Sequence, residues 1–107
     1  MSRYLLIVLS NPVEGKESEF NDWYDNAHLP ELLAVPGVLT AERFTLADDS
    51  YSKADHKCLV IYELDFESPE VAWATFAEVR AKGEIDPGDS MDRSTTRAWF
   101  FVPSIPS

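Results

Sequence analysis

Hydrophobic and polar positions follow one another along the chain in patterns that predict four strands. Residues 4–9 are apolar without polar alternation and end before an Asn-Pro turn, which is typical of a strand covered on both faces. Residues 38–46 alternate with the period of a strand, and residues 57–66 carry apolar side chains on both faces after a polar loop over residues 48–55. We predict strands in these three segments and a last strand over residues 95–102.

Helical spacing of apolar residues predicts a first helix that begins near Glu17. Its apolar positions are Phe20, Trp23, Tyr24, Ala27 and His28 or Leu29. We expect Pro30 to end this helix, because the proline ring disfavours helical geometry at the preceding residue and proline has no N–H group to donate. Residues 31–34 then form one further turn with Pro30 at its first position.

A second helix is predicted between Ser68 and Gly83. The sequence Ser68-Pro69-Glu70 supplies a capping hydroxyl, a proline in the first turn and an acid at the positive end of the helix dipole, and a glycine ends the helix. The element order is therefore β-α-β-β-α-β, which predicts an α+β, ferredoxin-like fold with a four-stranded antiparallel sheet and two helices on one face. We treat residues 1–107 as a single domain.

The first, third and fourth predicted strands are apolar on both faces. In the first strand Tyr4, Leu6 and Val8 alternate with Leu5, Ile7 and Leu9. Because both helices cover the same face of the sheet, the other face needs a cover from outside the monomer. We therefore predict a homodimer that pairs sheet to sheet.

Net charge and cysteine content limit the classes of partner and the cellular location that we expect. Acids outnumber bases 19 to 9, so the surface repels phosphate backbones and anionic lipids, and we expect neither a nucleic acid nor a membrane partner. No apolar run is long enough to span a bilayer, and we expect no targeting segment. Cys58 is the single cysteine, so an intrachain disulfide is excluded and a cytoplasmic location is favoured.

Candidate chemistry is concentrated near the end of the first helix. Tyr24 and His28 are four residues apart, so they lie on one helix face that Phe20 continues. At a helix C-terminus the dipole stabilises the imidazolium, so we expect a His28 pKa near neutrality, which suits a general acid and base. Tyr24 would orient the imidazole or donate to a substrate carbonyl. Alternatively, His28 caps the last helix carbonyls, and Trp23 and Tyr24 are core aromatics.

Other side chains offer weaker candidates. Arg43 and Arg97 would bind a carboxylate or enolate oxygen if they pointed into a cavity, although a surface ion pair is the alternative for each. Flat apolar walls, for a ligand or simply for the core, are offered by Trp99, Phe101, Trp73 and Phe76.

Metal and cofactor sites are not predicted. His56 is interpreted as an exposed loop residue, and no sequence feature lowers the pKa of the Cys58 thiol enough to make it a nucleophile. No short His-x-His or His-Glu-x-x-His spacing exists, and the chain has no glycine-rich phosphate loop. We therefore expect neither a metal ion nor a nucleotide or flavin cofactor.

Three motifs carry a resemblance to a known family, and they are Phe20-x-x-Trp23-Tyr24-x-x-x-His28-x-Pro30, Pro36-Gly37-Val38 and Arg43-Phe44. They resemble the EthD-like branch of the dimeric α+β barrel superfamily. The resemblance implies a ferredoxin-like monomer that packs its sheet against the sheet of a second copy, with a small-molecule cavity between sheet and helices. It also implies that His28 is functional.

The resulting hypothesis is a cofactor-independent enzyme acting on a small aromatic, polyketide-like or other carbonyl compound. His28 moves a proton next to the carbonyl, in lyase, dehydratase, cyclase or isomerase chemistry, with Tyr24 as its catalytic partner. The predicted substrate-binding residues are Trp23, Arg43, Phe20, Trp99 and Phe76. The alternatives are a non-catalytic dimeric small-molecule-binding or accessory protein of a degradation pathway, a cofactor-free monooxygenase, and a haem-handling protein.

Overall fold

The computed structural model describes residues 3–105. Within this range four strands form one antiparallel sheet in the order β2-β3-β1-β4. Their bounds are β1 (Tyr4–Ser10), β2 (Val38–Thr45), β3 (Cys58–Leu64) and β4 (Arg97–Phe101). The two central strands, β1 and β3, lie next to each other although a helix and a strand separate them in sequence. The predicted ferredoxin-like α+β class is confirmed at this level.

The helices pack on one face of this sheet. The first helical segment is made of α1 (Glu17–Trp23), a π-helical turn (Tyr24–His28) and α2 (Leu29–Leu33), which follow each other without a break. The second helix, α3 (Pro69–Ala81), begins as predicted, since the Ser68 side chain accepts a hydrogen bond from the Val71 N–H at 3.2 Å. None of the helices within residues 3–105 is long and apolar enough to cross a membrane.

The prediction that Pro30 ends the first helix was wrong. The Leu29 N–H bonds to the Tyr24 carbonyl five residues back, so the chain makes one wide turn just before the proline and then continues helically to Leu33. Pro30 lies in the first turn of α2, where its missing N–H costs little. His28 therefore lies inside a continuous helical segment and not at a helix C-terminus.

Alternate side chains along each strand define two faces of the sheet. The inner face, which meets the helices, carries buried residues that form the core together with Phe20, Tyr24 and Phe76. On the strands these residues are Tyr4, Leu6, Ser10, Val38, Cys58, Val60, Tyr62 and Leu64. The outer face carries Leu5, Ile7, Leu9, Phe44, Leu59, Ile61, Trp99 and Phe101. Trp99 and Phe101 are 48% and 53% exposed, so in the monomer much of this face is apolar and open to solvent.

Candidate functional site

A cavity of about 370 Å³ lies between the inner face of the sheet and the helices. Residues 84–93, here called the roof loop, close it on one side. The lining residues are Leu6, Val8, Trp23, Tyr24, His28, Leu32, Tyr62, Trp73, Phe76, Arg80, Ile85, Pro87, Gly88, Met91, Arg93, Thr96 and Ala98. Aromatic and aliphatic side chains dominate this wall, and few polar groups interrupt it, which is the usual make-up of a small-molecule site.

The π-helical turn brings three aromatic rings of the first helical segment together. In a regular α-helix residues five apart point about 140° away from each other, so Trp23 and His28 would not meet. In the wide turn they stack, with ring centroids 4.4 Å apart and planes inclined by 23°. The Tyr24 ring meets the His28 imidazole edge-on at 5.2 Å. The imidazole is therefore held between two aromatic rings.

The roof loop is fixed to the same helical segment. The Trp23 indole N–H donates to the Asp86 carbonyl at 2.9 Å, and the Asp86 N–H donates to the Glu31 carboxylate at 2.8 Å. Gly88 packs directly on the indole, since a Cβ atom at this position would lie 2.7 Å from Trp23 Nε1. These contacts place the loop over the cavity and hold the Trp23 ring in its stacked position.

His28 is electrically neutral at neutral pH. Burial is the main cause, and the nearby Arg93 and Arg80 guanidinium groups add to it, so that the pKa of His28 is lowered from 6.5 to about 4, with Asp86 opposing the shift. The expectation of a near-neutral pKa was wrong. It assumed a helix C-terminal dipole, and the wide turn places the imidazole inside the helical segment.

Two residues that line the cavity each carry a buried polar atom without a hydrogen-bond partner among the described residues, and Ser10 Oγ, which is outside the lining, is a third such atom. The two atoms in the lining are His28 Nδ1 and the Tyr62 hydroxyl oxygen. A buried polar group without a partner costs about 1–3 kcal/mol, and such groups are rare in folded proteins. Burial also raises the pKa of Tyr24 to about 12 and that of Tyr62 well above its usual value, so both phenols stay protonated and can donate.

Four of the residues predicted from the sequence to form a site line this cavity, and they are Trp23, Tyr24, His28 and Phe76. Phe20 does not line it. Its ring is buried below, edge-on to Tyr24 at 5.1 Å, and supports the site from the core.

Arg43 and Trp99 lie elsewhere. The Arg43 guanidinium binds both carboxylate oxygens of Asp25, at 3.0 and 3.1 Å, and the Asn21 side chain at 3.1 Å. It also lies 5.7 Å from the centre of the Tyr24 ring, and it does not line the cavity. Trp99 is on the outer face of the sheet.

Trp73, which the sequence offered as a wall residue, also lines the cavity, whereas the remaining candidates lie outside it. His56 Nε2 is 2.7 Å from the Thr95 carbonyl oxygen, Cys58 is buried in the core, and Arg97 is exposed and donates to backbone carbonyls. Within residues 3–105 no three His, Cys, Asp or Glu side chains come together in a group that could hold a metal ion.

Three wall residues with titratable side chains were missed by reasoning from sequence, namely Tyr62, Arg80 and Arg93. A signal existed for two of them. Tyr62 is on the same face of its strand as the buried residue Val60, and Arg80 is one helical turn after Phe76. Arg93 lies at the end of an irregular loop, where no periodicity indicates which way a side chain points.

Comparison with solved structures places the fold. The chain is similar to the crystal structure of an ethyl tert-butyl ether d (EthD) family protein from Bacillus halodurans, with a TM-score of 0.54 and 15% sequence identity. The alignment covers 94% of this chain and 96% of that chain. No protein-family model matches the sequence, and no curated protein matches it significantly. Similarity at this level of identity defines the fold alone, and the chain has an EthD-like α+β fold.

Proposed function

We propose that the protein is a cofactor-independent enzyme acting on a small aromatic, polyketide-like or other carbonyl compound. The supporting observation is a neutral imidazole, His28, in an aromatic-walled cavity of about 370 Å³, with its buried Nδ1 atom unpaired among the described residues. A substrate whose polar atoms pair with His28 and Tyr62 recovers the free energy that the unpaired groups cost.

The proposed reaction step is proton transfer at the carbon next to a carbonyl. The neutral His28 imidazole takes the proton, the C–H electron pair moves into the carbonyl group, and an enolate oxygen forms. The Tyr62 and Tyr24 hydroxyl groups, protonated because of their raised pKa values, donate hydrogen bonds to that oxygen. The imidazolium then returns the proton to another atom, and isomerases, dehydratases, cyclases and lyases differ in which atom receives it.

The lowered pKa of His28 also makes the proposed proton abstraction harder. An imidazole with a pKa of about 4 is a weak base in the empty cavity, and the negative charge of the enolate has to raise that pKa during the reaction. The same observation favours a second function, a non-catalytic small-molecule-binding protein in which His28 is a neutral hydrogen-bonding group. Hydrogen–deuterium exchange of a small ketone separates the enzyme from the binding protein.

The proposal includes a homodimer formed through the outer face. Ile61, Ile7 and Trp99 lie side by side on neighbouring strands across the middle of this face. Such a continuous apolar patch is unusual on a monomer and is typical of an interface. A second copy with the same patch covers it by a twofold axis, and the cavity on the inner face stays free.

The test is hydrogen–deuterium exchange of an enolisable bicyclic ketone, 2-tetralone, in D₂O at neutral pH, followed by proton NMR. We expect the wild-type protein to accelerate exchange and His28→Gln to lose at least about 100-fold of the acceleration, the usual share of a general base. His56→Gln is the matched control, because the other histidine lies outside the cavity.

The outcome of the exchange experiment decides between the enzyme and the binding protein. Acceleration that survives in His28→Gln contradicts the catalytic role of this residue. A wild-type protein that binds 2-tetralone without accelerating exchange favours the binding protein. Circular dichroism of both variants shows whether the substitutions leave the fold intact.

A further inference from the structure

The charge of the cavity wall is opposite to that of the chain. The sequence has 19 acidic and 9 basic residues and a net charge of −10, but no acidic side chain lines the cavity, whereas Arg80 and Arg93 both do. After burial, which is the main cause, the two guanidinium groups also lower the pKa of His28, and Asp86 opposes them. Positive charge has therefore been collected at a neutral imidazole in an otherwise strongly acidic protein.

In the described part of the chain these arginines differ from five other cationic side chains and share the lack of an ion-pair partner with Lys57 and Arg97. Arg3, Lys16, Arg43, Lys53 and Lys82 each have a carboxylate within ion-pair distance. Among residues 3–105 neither Arg80 nor Arg93 has such a partner. The Arg93 guanidinium donates to the Pro87 carbonyl in the roof loop, which fixes its position but leaves its charge uncompensated.

The two arginines lie beside apolar surface. Arg80 follows Phe76 by one turn on α3, so its guanidinium is at the edge of a wall that Phe76, Trp73 and Trp23 form. Both arginines are solvent-exposed and also line the cavity, so their charges lie at its opening. The arrangement offers a flat apolar interior and a cationic entrance. A guanidinium binds a carboxylate through two parallel hydrogen bonds, more strongly than it binds a neutral oxygen.

We infer that the substrate is an aromatic or polyketide-like keto acid, whose carboxylate binds Arg93 and Arg80 while its ring system lies between the aromatic walls and its ketone faces His28. This names the substrate class of the site in the proposed function and rests on that proposal. The carboxylate also has a role in the reaction, because an anion near His28 raises the imidazole pKa and makes it a better base.

The experiment measures equilibrium binding, so that it does not depend on turnover. The probes are 2-naphthoate and 2-naphthamide, which share size and shape and differ in charge, and calorimetry at neutral pH and low salt gives both dissociation constants. We expect the wild-type protein to bind the carboxylate at least about tenfold more tightly than the amide, as a charge-assisted bidentate contact would give. Arg93→Gln should reduce that ratio to near one, and Arg80→Gln should reduce it in part.

Arg97→Gln is the matched control. It removes the same charge from an exposed arginine that does not line this cavity and has no ion-pair partner among the described residues. The ratio of the two dissociation constants in Arg97→Gln should therefore equal that of the wild-type protein. A second measurement is the NMR titration of His28. Saturation with 2-naphthoate should raise the pKa of its imidazole, and saturation with 2-naphthamide should leave it near the value of the empty protein.

Several results would overturn the inference. They are equal affinity of the wild-type protein for the two probes, no binding of either probe, a ratio that Arg97→Gln lowers as much as Arg93→Gln, and an equal loss of both affinities in Arg93→Gln. The last result would show that Arg93 holds the roof loop through Pro87 instead of binding the anion. If 2-naphthoate binds selectively but 2-tetralone does not exchange, the substrate class stands and the catalytic proposal fails.

Discussion

The two faces of the sheet are built from the same strands, and neighbouring residues of each strand point to opposite sides. On the inner face Tyr62 and the facing His28 bring polar groups into a buried place where no described residue pairs with them. On the outer face Ile7, Ile61 and Trp99 are apolar; Trp99 is exposed and the two isoleucines are half-buried. The unpaired polar groups on the inner face lower the stability of the monomer, and a bound ligand that pairs with them would restore it. The patch on the outer face consists of apolar side chains, and a second apolar surface would be enough to cover them.

A charge on the outer face should have the largest effect. Ile7→Asp brings two aspartates towards each other across the twofold axis of the proposed dimer, and burial of an unpaired charge is expensive. We expect the dissociation constant of the dimer to rise by at least about 1000-fold, or roughly 4 kcal/mol. Sedimentation velocity over a concentration series measures it.

Ala77→Asp is the control for this change, because it adds the same charge on an exposed position of α3 that is far from the outer face. A wild-type protein that is monomeric at micromolar concentration contradicts the dimer. So does an Ile7→Asp protein that dimerises as well as Ala77→Asp.

The inner face should respond to acid through His28. The unfolded chain protonates this residue below pH 6.5, whereas the folded protein does so only below about pH 4. Between these values the unfolded state binds more protons, so the free energy of unfolding falls as the pH falls, by up to about 3 kcal/mol from this group. Urea unfolding at a series of pH values measures the slope.

His28→Gln should lose this part of the slope, and His56→Gln should keep it. Comparison of the two variants removes the contribution of the many carboxylates, which both proteins share. Identical slopes in the wild-type protein and His28→Gln would mean that the imidazole is not buried in its neutral form.

We expect an intermediate loss of stability when a substitution disturbs the contact between the roof loop and the Trp23 indole. Gly88 and Gly83 both have positive φ, at 60° and 74°, so alanine is strained at either position. At Gly88 the new Cβ also meets the Trp23 ring, whereas at Gly83 it meets nothing within 4 Å. Gly88→Ala should therefore lose about 1–3 kcal/mol more stability than Gly83→Ala in urea unfolding. Equal losses would show that the loop moves freely away from Trp23.

The smallest effect on stability is expected for the ion pair between Arg43 and Asp25, whose charged groups already have partners. The Asp25 carboxylate that binds Arg43 is about half exposed, so solvent screens the ion pair. A double-mutant cycle with Arg43→Gln and Asp25→Asn should give a coupling free energy of at most about 1 kcal/mol, and 1 M KCl should reduce it. A larger coupling, insensitive to salt, would contradict the exposure of this pair.

Most of the fold could be predicted from the sequence, because each element has a local signal. The alternation in β2, the apolar run of β1 and the Ser68-Pro69-Glu70 start of α3 each act within a few residues. Strand ends were less accurate, since β3 stops at Leu64 and β4 covers residues 97–101. Hydrogen bonds to neighbouring strands decide where a strand ends, and these are not encoded locally.

The candidate site was only partly predictable, for two physical reasons. Trp23, Tyr24, His28 and Phe76 reach the cavity because helical spacing directs them inward. The pKa of His28, however, depends first on its burial and then on Arg93 and Arg80, which are far from it in sequence. Trp99 has the same flat apolar surface as Trp23 and lies on the outer face. A pattern of alternate residues cannot by itself say which of two apolar faces holds a cavity.

The wide turn makes the site sensitive to the number of residues as well as to their identity. Trp23 and His28 stack because five residues, instead of the usual four, separate bonded groups there. Insertion of a single residue between them would rotate one ring about 100° away from the other while the chain could remain helical, whereas removal of one residue would leave them four apart on one face of a regular helix. The geometry of the cavity therefore depends on the number of residues between the two rings, and an insertion of one codon there would alter it more than most substitutions.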